Sequence, residues 1–286
     1  MWIIYAVLNP ISESFRNVFS KKASKEADPL LISWFNNLIP VIVYLPVLFL
    51  VDLKFSFEFF YSILGSGIIN IAAVLLYHRA IAKGDISLVV PMLSFTPLFL
   101  LITSPLLIGE FPDLHGLIGI VFIVVGSYLL NINLAHGSIF HPLKSLLKNK
   151  GTRYMLIVSF IWSISANFDK IGIQASSTFQ YIIFINMFVF MGISIFLFAK
   201  GKYKTSQIAK AKTNLILVGF FTAFGFFLQM TALSLTLVAY VIAIKRTSGM
   251  LTVLHGHLFF GEKHIKERML GSVIMFIGVL LIILPW

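Results

Sequence analysis

Glu13 and Arg16 stand three residues apart in a largely apolar stretch, and Lys245 and Arg246 stand side by side in another. An ionisable side chain at the middle of a membrane helix costs roughly 3 kcal/mol on insertion scales, so all four need partners or water. A carboxylate and three cations so placed can neutralise one another and hold helices together. They can also leave a charge free for an ionised solute or a proton. Asn9, Glu13, Arg16 and Ser20 advance by four, three and four residues and form one polar stripe. The stripe predicts a helix face turned to a bundle interior. There Glu13 is either a partner for a proton or an amine, or the local mate of Arg16. Successive helix residues point about 100° apart, so Lys245 and Arg246 cannot share one contact. One is expected to pair with Glu13, with Arg246 the favoured mate, leaving the other for a carboxylate or phosphate. Alternatively both hold the fold through carbonyls and Glu13.

Asn36, Asn37, Asn70, Ser94, Thr96, Trp162, Asn167, Asn186 and Gln229 also lie within apolar stretches. They are candidates for a cavity wall, or they bond neighbouring helices, as buried amides and hydroxyls in bundles often do. Trp162 adds an aromatic face suited to an organic solute or cation. Tyr77, His78 and Arg79 read equally as interfacial anchors or gate residues. His255 and His257 are two apart, hence on different helix faces, and no Cys or carboxylate completes a metal set. Cysteine is absent, and the loops are too short for a P-loop or other cofactor-binding segment. No Ser/His/Asp set or loop-borne carboxylate pair predicts an enzyme.

These residues must be positioned by helices that lipid tolerates. The 286 residues are 58% hydrophobic and 12% charged, too apolar for a soluble domain of this size. A 20-residue apolar window gives ten spans, approximately Trp2–Phe19, Leu30–Val51, Glu58–Ala82, Ile86–Ile108, Leu114–Leu134, Arg153–Ile173, Thr178–Ala199, Thr213–Leu235, Leu237–Phe260 and Glu267–Pro285. Lys83-Gly84-Asp85, Gly109–Asp113 and Gly261-Glu262-Lys263 punctuate them, with Asp113 an N-cap. The first span is read as retained rather than cleaved: no basic residue precedes it, and Glu13 and Arg16 lie inside it.

The net charge of +11 sits in the gaps between spans, which argues against a nucleic-acid partner. On one side fall Lys21, Lys22, Lys25, Lys83, the Lys144–Arg153 group, Lys200–Lys212 and Lys263–Arg268; the other side offers Lys54. The positive-inside bias places the basic loops in the cytoplasm and both termini outside a plasma (inner) membrane.

The sequence repeats. A shift of 152 positions carries Gly109-Glu110 onto Gly261-Glu262, Gly119 onto Gly271, Gly126 onto Gly278, Gly67 onto Gly219 and Ala80 onto Ala232. A shift of 149 pairs Lys21 with Lys170 and Asn37 with Asn186. Two five-helix halves, about 1–137 and about 150–286 of one transmembrane domain joined by a basic loop, follow. Five being odd, they are predicted to be inverted, an arrangement that gives two near-equivalent states open to opposite sides. Glu110 and Glu262 are read as carboxylates at the positive ends of the fifth and tenth helices. The spaced glycines are read as close helix contacts within a subunit or in a homodimer.

Gly-Glu after the fourth and ninth spans, Ser87-Leu88-Val89-Val90-Pro91, Thr96-Pro97-Leu98-Phe99 and Gly116-Leu117-Ile118-Gly119 with Gly126-Ser127-Tyr128-Leu129-Leu130 resemble the EamA-type permeases of the drug/metabolite transporter superfamily. The resemblance covers nearly the whole chain. It implies a ten-helix transporter of small metabolites with a central cavity shared by the halves. Better-known members keep both termini in the cytoplasm; the loop charges here predict the reverse. The expected function is therefore secondary transport of a small polar or amphipathic metabolite, anionic or zwitterionic, by alternating access and with a proton as candidate coupling ion. The alternative is an intramembrane lipid-handling protein or enzyme, with Lys245-Arg246 holding a lipid phosphate.

Overall fold

A computed structural model describes residues 1–83, 89–129, 149–260 and 265–284. The Gly84-Asp85 and Gly261-Glu262 punctuation, the lysines at 144 and 148, the His257 side chain and Trp286 lie outside what is described. Among the described residues the chain is all helix. In chain order come α1 (Trp2–Ala23), α2 (Pro29–Tyr44) with a 3-10 extension to Leu50, and α3 (Phe57–Lys83). A 3-10 segment (Val90–Phe95) then leads into α4 (Thr96–Ile108), followed by α5 (Leu114–Leu129). The second half holds α6 (Lys150–Ala175), α7 (Thr178–Ala199), α8 (Thr205–Leu233), α9 (Val238–Arg246), α10 (Ser248–Phe260) and α11 (Ile265–Ile283).

The helix ends follow from local chemistry. Asp28, Asn149 and Ser177 accept from the first free N–H groups of α2, α6 and α7, at 2.9, 2.8 and 3.2 Å. Asp113 is the N-cap of α5, accepting from Gly116 N–H at 2.7 Å. Gly109 ends α4 with φ +68°, a left-handed turn that glycine adopts without penalty.

Among the described residues, five helices are long and apolar enough to cross a membrane: Pro29–Leu50, Phe57–Lys83, Lys150–Ala175, Thr178–Ala199 and Thr205–Leu233. Met92–Ile108, Leu114–Leu129 and Leu270–Ile283 are shorter apolar helices. Two boundaries differ materially from the sequence reading. α8 begins at Thr205, so Lys210 and Lys212 ride on its exposed first turns rather than in a loop. The ninth span is two helices, with the turn at Thr247 directly after Lys245-Arg246.

The burial pattern is that of a membrane protein. Phe49, Leu50, Leu106 and Ile195 stand exposed on the outside, while Glu13, Arg16, Asn17, Asn37, Asp169, Lys245 and Arg246 are buried. Lipid solvates the apolar surface, and polar groups must find one another inside.

Contacts between the halves obey a pairing rule. α1 packs on α8 and α3 on α6, combinations that exchange when the halves are exchanged; α2 packs on α7 and α5 on α11. At the α5–α11 contact, a Cβ on Gly119 would meet the Gly278 carbonyl at 2.7 Å, and one on Gly126 the Gly271 carbonyl at 2.6 Å. Since Gly119 corresponds to Gly271 and Gly126 to Gly278, each contact is the other's image. These glycines therefore join the two halves of one chain. The helix breaks correspond as well: α4 starts at Thr96 and α10 at Ser248, 152 positions apart.

Candidate functional site

A cavity of about 680 Å³, its mouth included, lies between the halves. Its wall draws on α1 (Arg16), α2 (Asn36, Asn37), α3 (Asn70), α6 (Trp162, Ser165, Asp169), α7 (Asn186), α8 (Thr222, Gln229) and α9 (Lys245, Arg246).

The charged wall is built from α1 and α9. The Arg16 guanidinium donates to Glu13 Oε1 one turn back, and Lys245 Nζ lies 3.4 Å from Glu13 Oε2. Lys245 also donates to Gln229 Oε1 at 2.6 Å. Glu13 is thus held by two cations and stands behind the cavity lining rather than in it. Its partner from α9 is Lys245, where Arg246 was the favoured mate. The two residues point about 100° apart, and the helix presents the lysine to α1. Arg246 is buried, and its Nε and Nη1 have no hydrogen-bond partner among the described residues. Its guanidinium carbon lies 5.8 Å from the centre of the Trp162 ring, with Lys245 Nζ 5.9 Å from the same ring. Aromatic contact offsets part of the cost of burying these cations. It satisfies neither the Nε–H nor the Nη1–H groups of Arg246, which can still take an acceptor.

The opposite wall is neutral apart from one group. Ser66 and Ser165 hydroxyls lie 3.0 Å apart, and the Asn70 amide donates to both, at 2.9 and 2.6 Å. Trp162 Nε1 donates to Asn70 Oδ1 at 3.1 Å. Asp169 Oδ1 accepts from Ser66 and, at 2.8 Å, from the Tyr181 hydroxyl. Asn37 and Asn186 each spend their amide N–H on the carbonyl four residues back, Ser33 and Ile182, at 2.9 and 2.7 Å. Both line the cavity, with the amide oxygen and the second N–H as their remaining polar groups.

Several of the sequence candidates lie away from this wall, Thr96 among them, which is buried and donates to the Leu93 carbonyl at 2.6 Å. Asn9 donates to the Gly225 carbonyl at 2.6 Å and ties α1 to α8. Asn167 bonds Ser104 at 2.8 Å and Thr103 at 3.2 Å, joining α6 to α4. Ser94 is buried in the 3-10 segment, outside the cavity lining. Tyr77 and His78 are buried rather than interfacial: Tyr77 donates to Asn17 and carries the Arg16 guanidinium 4.6 Å above its ring, while Arg79 is exposed. Glu110 serves a different helix from the one expected, because its Oε2 accepts from Val238 N–H at 3.1 Å, at the start of α9. Its other oxygen pairs with Lys170, which also donates to the Thr236 carbonyl at 2.8 Å.

The reading of the sequence overlooked Asp169. The signal was present: Trp162, Ser165 and Asp169 advance by three and four residues, as the α1 stripe does.

Comparison with known proteins decides the class. The profile of the EamA-like transporter family matches residues 1–132 and 149–284, one copy on each half. The chain belongs to the EamA-like transporter family. It is accordingly a multi-pass membrane protein of a transporter family. A solved structure described only as "Crystal structure of protein" shares the fold, with a TM-score of 0.71 at 13% identity over 96% of this chain and 95% of that one. "Uncharacterized protein MJ1333.1" of Methanocaldococcus jannaschii is 38% identical over 73 residues, 26% of this chain. This EamA-family chain matches about half the length, 53%, of that relative.

Proposed function

We propose that this protein is a secondary transporter of a small anionic or zwitterionic metabolite, working by alternating access through the cavity between two inverted repeats. The observation that carries the substrate class is Arg246. It is a buried guanidinium on the cavity wall whose Nε and Nη1 lack partners, while the cation beside it is already neutralised. A carboxylate or phosphate oxygen would satisfy those N–H groups bidentately and balance the surplus charge. The amides of Asn37 and Asn186, one from each half, would hold the rest of the solute.

Inversion of the repeats is supported by the glycine contacts. Gly119 meets Gly278 and Gly126 meets Gly271, so the equivalent helices α5 and α11 run antiparallel. A two-fold relation between antiparallel helices has its axis perpendicular to them, in the membrane plane if they span it. The basic loops then face the cytoplasm of a plasma-membrane protein and both termini face outside. The lipid-enzyme alternative gains no support from the family or from the cavity residues.

Uptake into proteoliposomes, screened across labelled amino acids, nucleosides, sugars and phosphorylated metabolites, tests the substrate class. Only carboxylated or phosphorylated solutes should enter, and Arg246→Gln should sharply reduce their uptake at low solute concentration. Uptake confined to neutral or cationic solutes, or unaffected by Arg246→Gln, would overturn it. Orientation is open to single-cysteine labelling, since the parent has no cysteine. An impermeant reagent should reach a cysteine at Trp286 from outside, and one at Asn149 or Thr205 only from the cytoplasm.

A further inference from the structure

Among the described residues the cavity wall carries one carboxylate, and it is Asp169 rather than Glu13. The two are held in opposite ways. Glu13 lies between Arg16 and Lys245. Asp169 is held by the Ser66 and Tyr181 hydroxyls, and no lysine or arginine among the described residues comes within ion-pair distance of it. A proton on Glu13 would strand two buried cations, at a cost of several kcal/mol. A proton on Asp169 would remove a buried charge and strand nothing, because hydroxyls turn to donate or accept as needed.

We propose that Asp169 is the proton-coupling site of the transport cycle: it takes up a proton when an anionic solute occupies the cavity, and proton and solute cross together. The inference rests on the transporter reading and adds the coupling ion and its carrier.

The groups around Asp169 set the sign of the coupling. From α9 and α1 the same cavity receives Lys245, Arg246 and Arg16. α3 contributes Ser66 and Asn70, α7 contributes Tyr181 and α8 contributes Gln229, all uncharged. The α4 side chains bonded to α6, Thr103 and Ser104, are neutral too. Lys170, next on α6, is engaged by Glu110. In the empty cavity the three cations favour ionised Asp169. An anion bound at Arg246 cancels part of their field, so the affinity of Asp169 for a proton rises. Linkage makes the effect reciprocal, and the proton tightens anion binding by the same factor. The proton comes from water at the cavity mouth on one side and returns to water on the other. No covalent bond besides O–H is made or broken.

Infrared difference spectra of protein in liposomes, acid minus alkaline buffer, read this proton without any solute. The parent should show a protonated-carboxyl C=O band. Asp169→Asn should lose it, and Asp169→Glu should restore one at a shifted frequency, which also shows that the position tolerates substitution. A band that survives Asp169→Asn, or a parent with none, would overturn the proposal. In the second arm an imposed pH gradient drives uptake of whichever solute of the uptake panel the parent accumulates. Asp169→Asn should lose gradient-driven accumulation while keeping solute exchange; retained accumulation would sink the coupling role and leave the transport reading standing. A parent that moves no solute of the panel fails the transport reading, and this inference with it.

Discussion

α1 and α6 are the equivalent first helices of the two halves, and they fill the same positions with different chemistry. At an offset of 149, Glu13 corresponds to Trp162, Arg16 to Ser165, Ser20 to Asp169 and Lys21 to Lys170. The stripe is shared and its charges are not. The same asymmetry holds at the helix breaks, where Leu93 and Ser94 stand in the first half at the places of Lys245 and Arg246 in the second. Repetition supplies a near-symmetric frame that favours two interchangeable states. The substituted charges mark the cavity with one cationic wall and one hydroxyl wall. On the proposed transport reading, symmetry serves the movement, and its breaking serves recognition.

The largest expected effect comes from breaking the charged wall. Glu13→Gln leaves Arg16 and Lys245 buried without a counter-charge and should cost roughly 3–5 kcal/mol of stability. Asp169→Asn, which strands no cation, should cost far less. Thermal unfolding in detergent can rank them. Lys245→Met in the Glu13→Gln background should recover part of the loss, because it removes one stranded cation. Arg246→Met should recover less, since it has no ion pair with Glu13. Equal losses for the two carboxylates would erase the distinction between the walls.

Arg246 sharpens the comparison at the breaks. Replacing it by Gln removes charged hydrogen bonds to an anionic solute and should weaken binding by about 2–3 kcal/mol, or roughly 30- to 150-fold. Ser94→Ala, at the equivalent place in the first half, should leave affinity nearly unchanged. Counterflow titration of the transported solute measures both. Similar losses would mean that both breaks contact solute.

Much of this was legible from residue types, and the rest was lost for physical reasons. Glu13, Arg16, Lys245 and Arg246 stood out because a charge within an apolar helix is costly, and the family match came through the repeated Gly-Glu and glycine pattern. Choosing between Lys245 and Arg246 as the mate of Glu13 required helix rotation, which adjacency cannot supply. Asp169 escaped although the expected span Arg153–Ile173 contained it, because a single carboxylate beside a lysine reads as a local pair until Trp162 and Ser165 are seen to share its face. Glu110 was assigned to the helix that follows it in sequence, whereas it caps α9, 128 residues on. Long-range partners of that kind leave no local trace.

The glycine contact between the halves tests the symmetric frame itself. Gly126→Ala puts a methyl group 2.6 Å from the Gly271 carbonyl, which cannot move without shifting α11. Overpacking of this kind costs about 1–3 kcal/mol. Gly278→Ala, whose methyl group would lie 2.6 Å from the Gly119 carbonyl, should cost a similar amount by the image contact, whereas Gly249→Ala, which meets no atom within 4 Å, should be neutral. Unfolding midpoints of the three variants decide it. Unequal effects at Gly126 and Gly278 would mean that the two contacts are not images.

The smallest expected effect is at the helix cap outside the membrane interior. Asp113 accepts from the Gly116 N–H at 2.7 Å and from the Tyr240 hydroxyl at 3.0 Å, so it fastens the start of α5 to α9 of the other half. The Gly116 N–H, and after it the Tyr240 hydroxyl, hold its carboxyl below the ordinary aspartate value against a small opposing effect of burial. A carboxyl lowered on folding stabilises above its unfolded-chain pKa, and that contribution is lost as the pH falls through the folded value. Asp113→Ala should therefore cost about 1 kcal/mol at neutral pH, the worth of an N-cap. The gap between parent and variant should shrink in acid, where the protonated parent caps less well. Because the group is exposed, salt should weaken its charge-dependent part. Asp113→Asn keeps an accepting oxygen and should fall between the two at neutral pH, with little pH dependence of its own. Unfolding midpoints of the three proteins measured from neutral to acid pH separate the cap from the charge. A parent-to-variant gap that stays constant across that range would assign the stabilisation to hydrogen bonding alone.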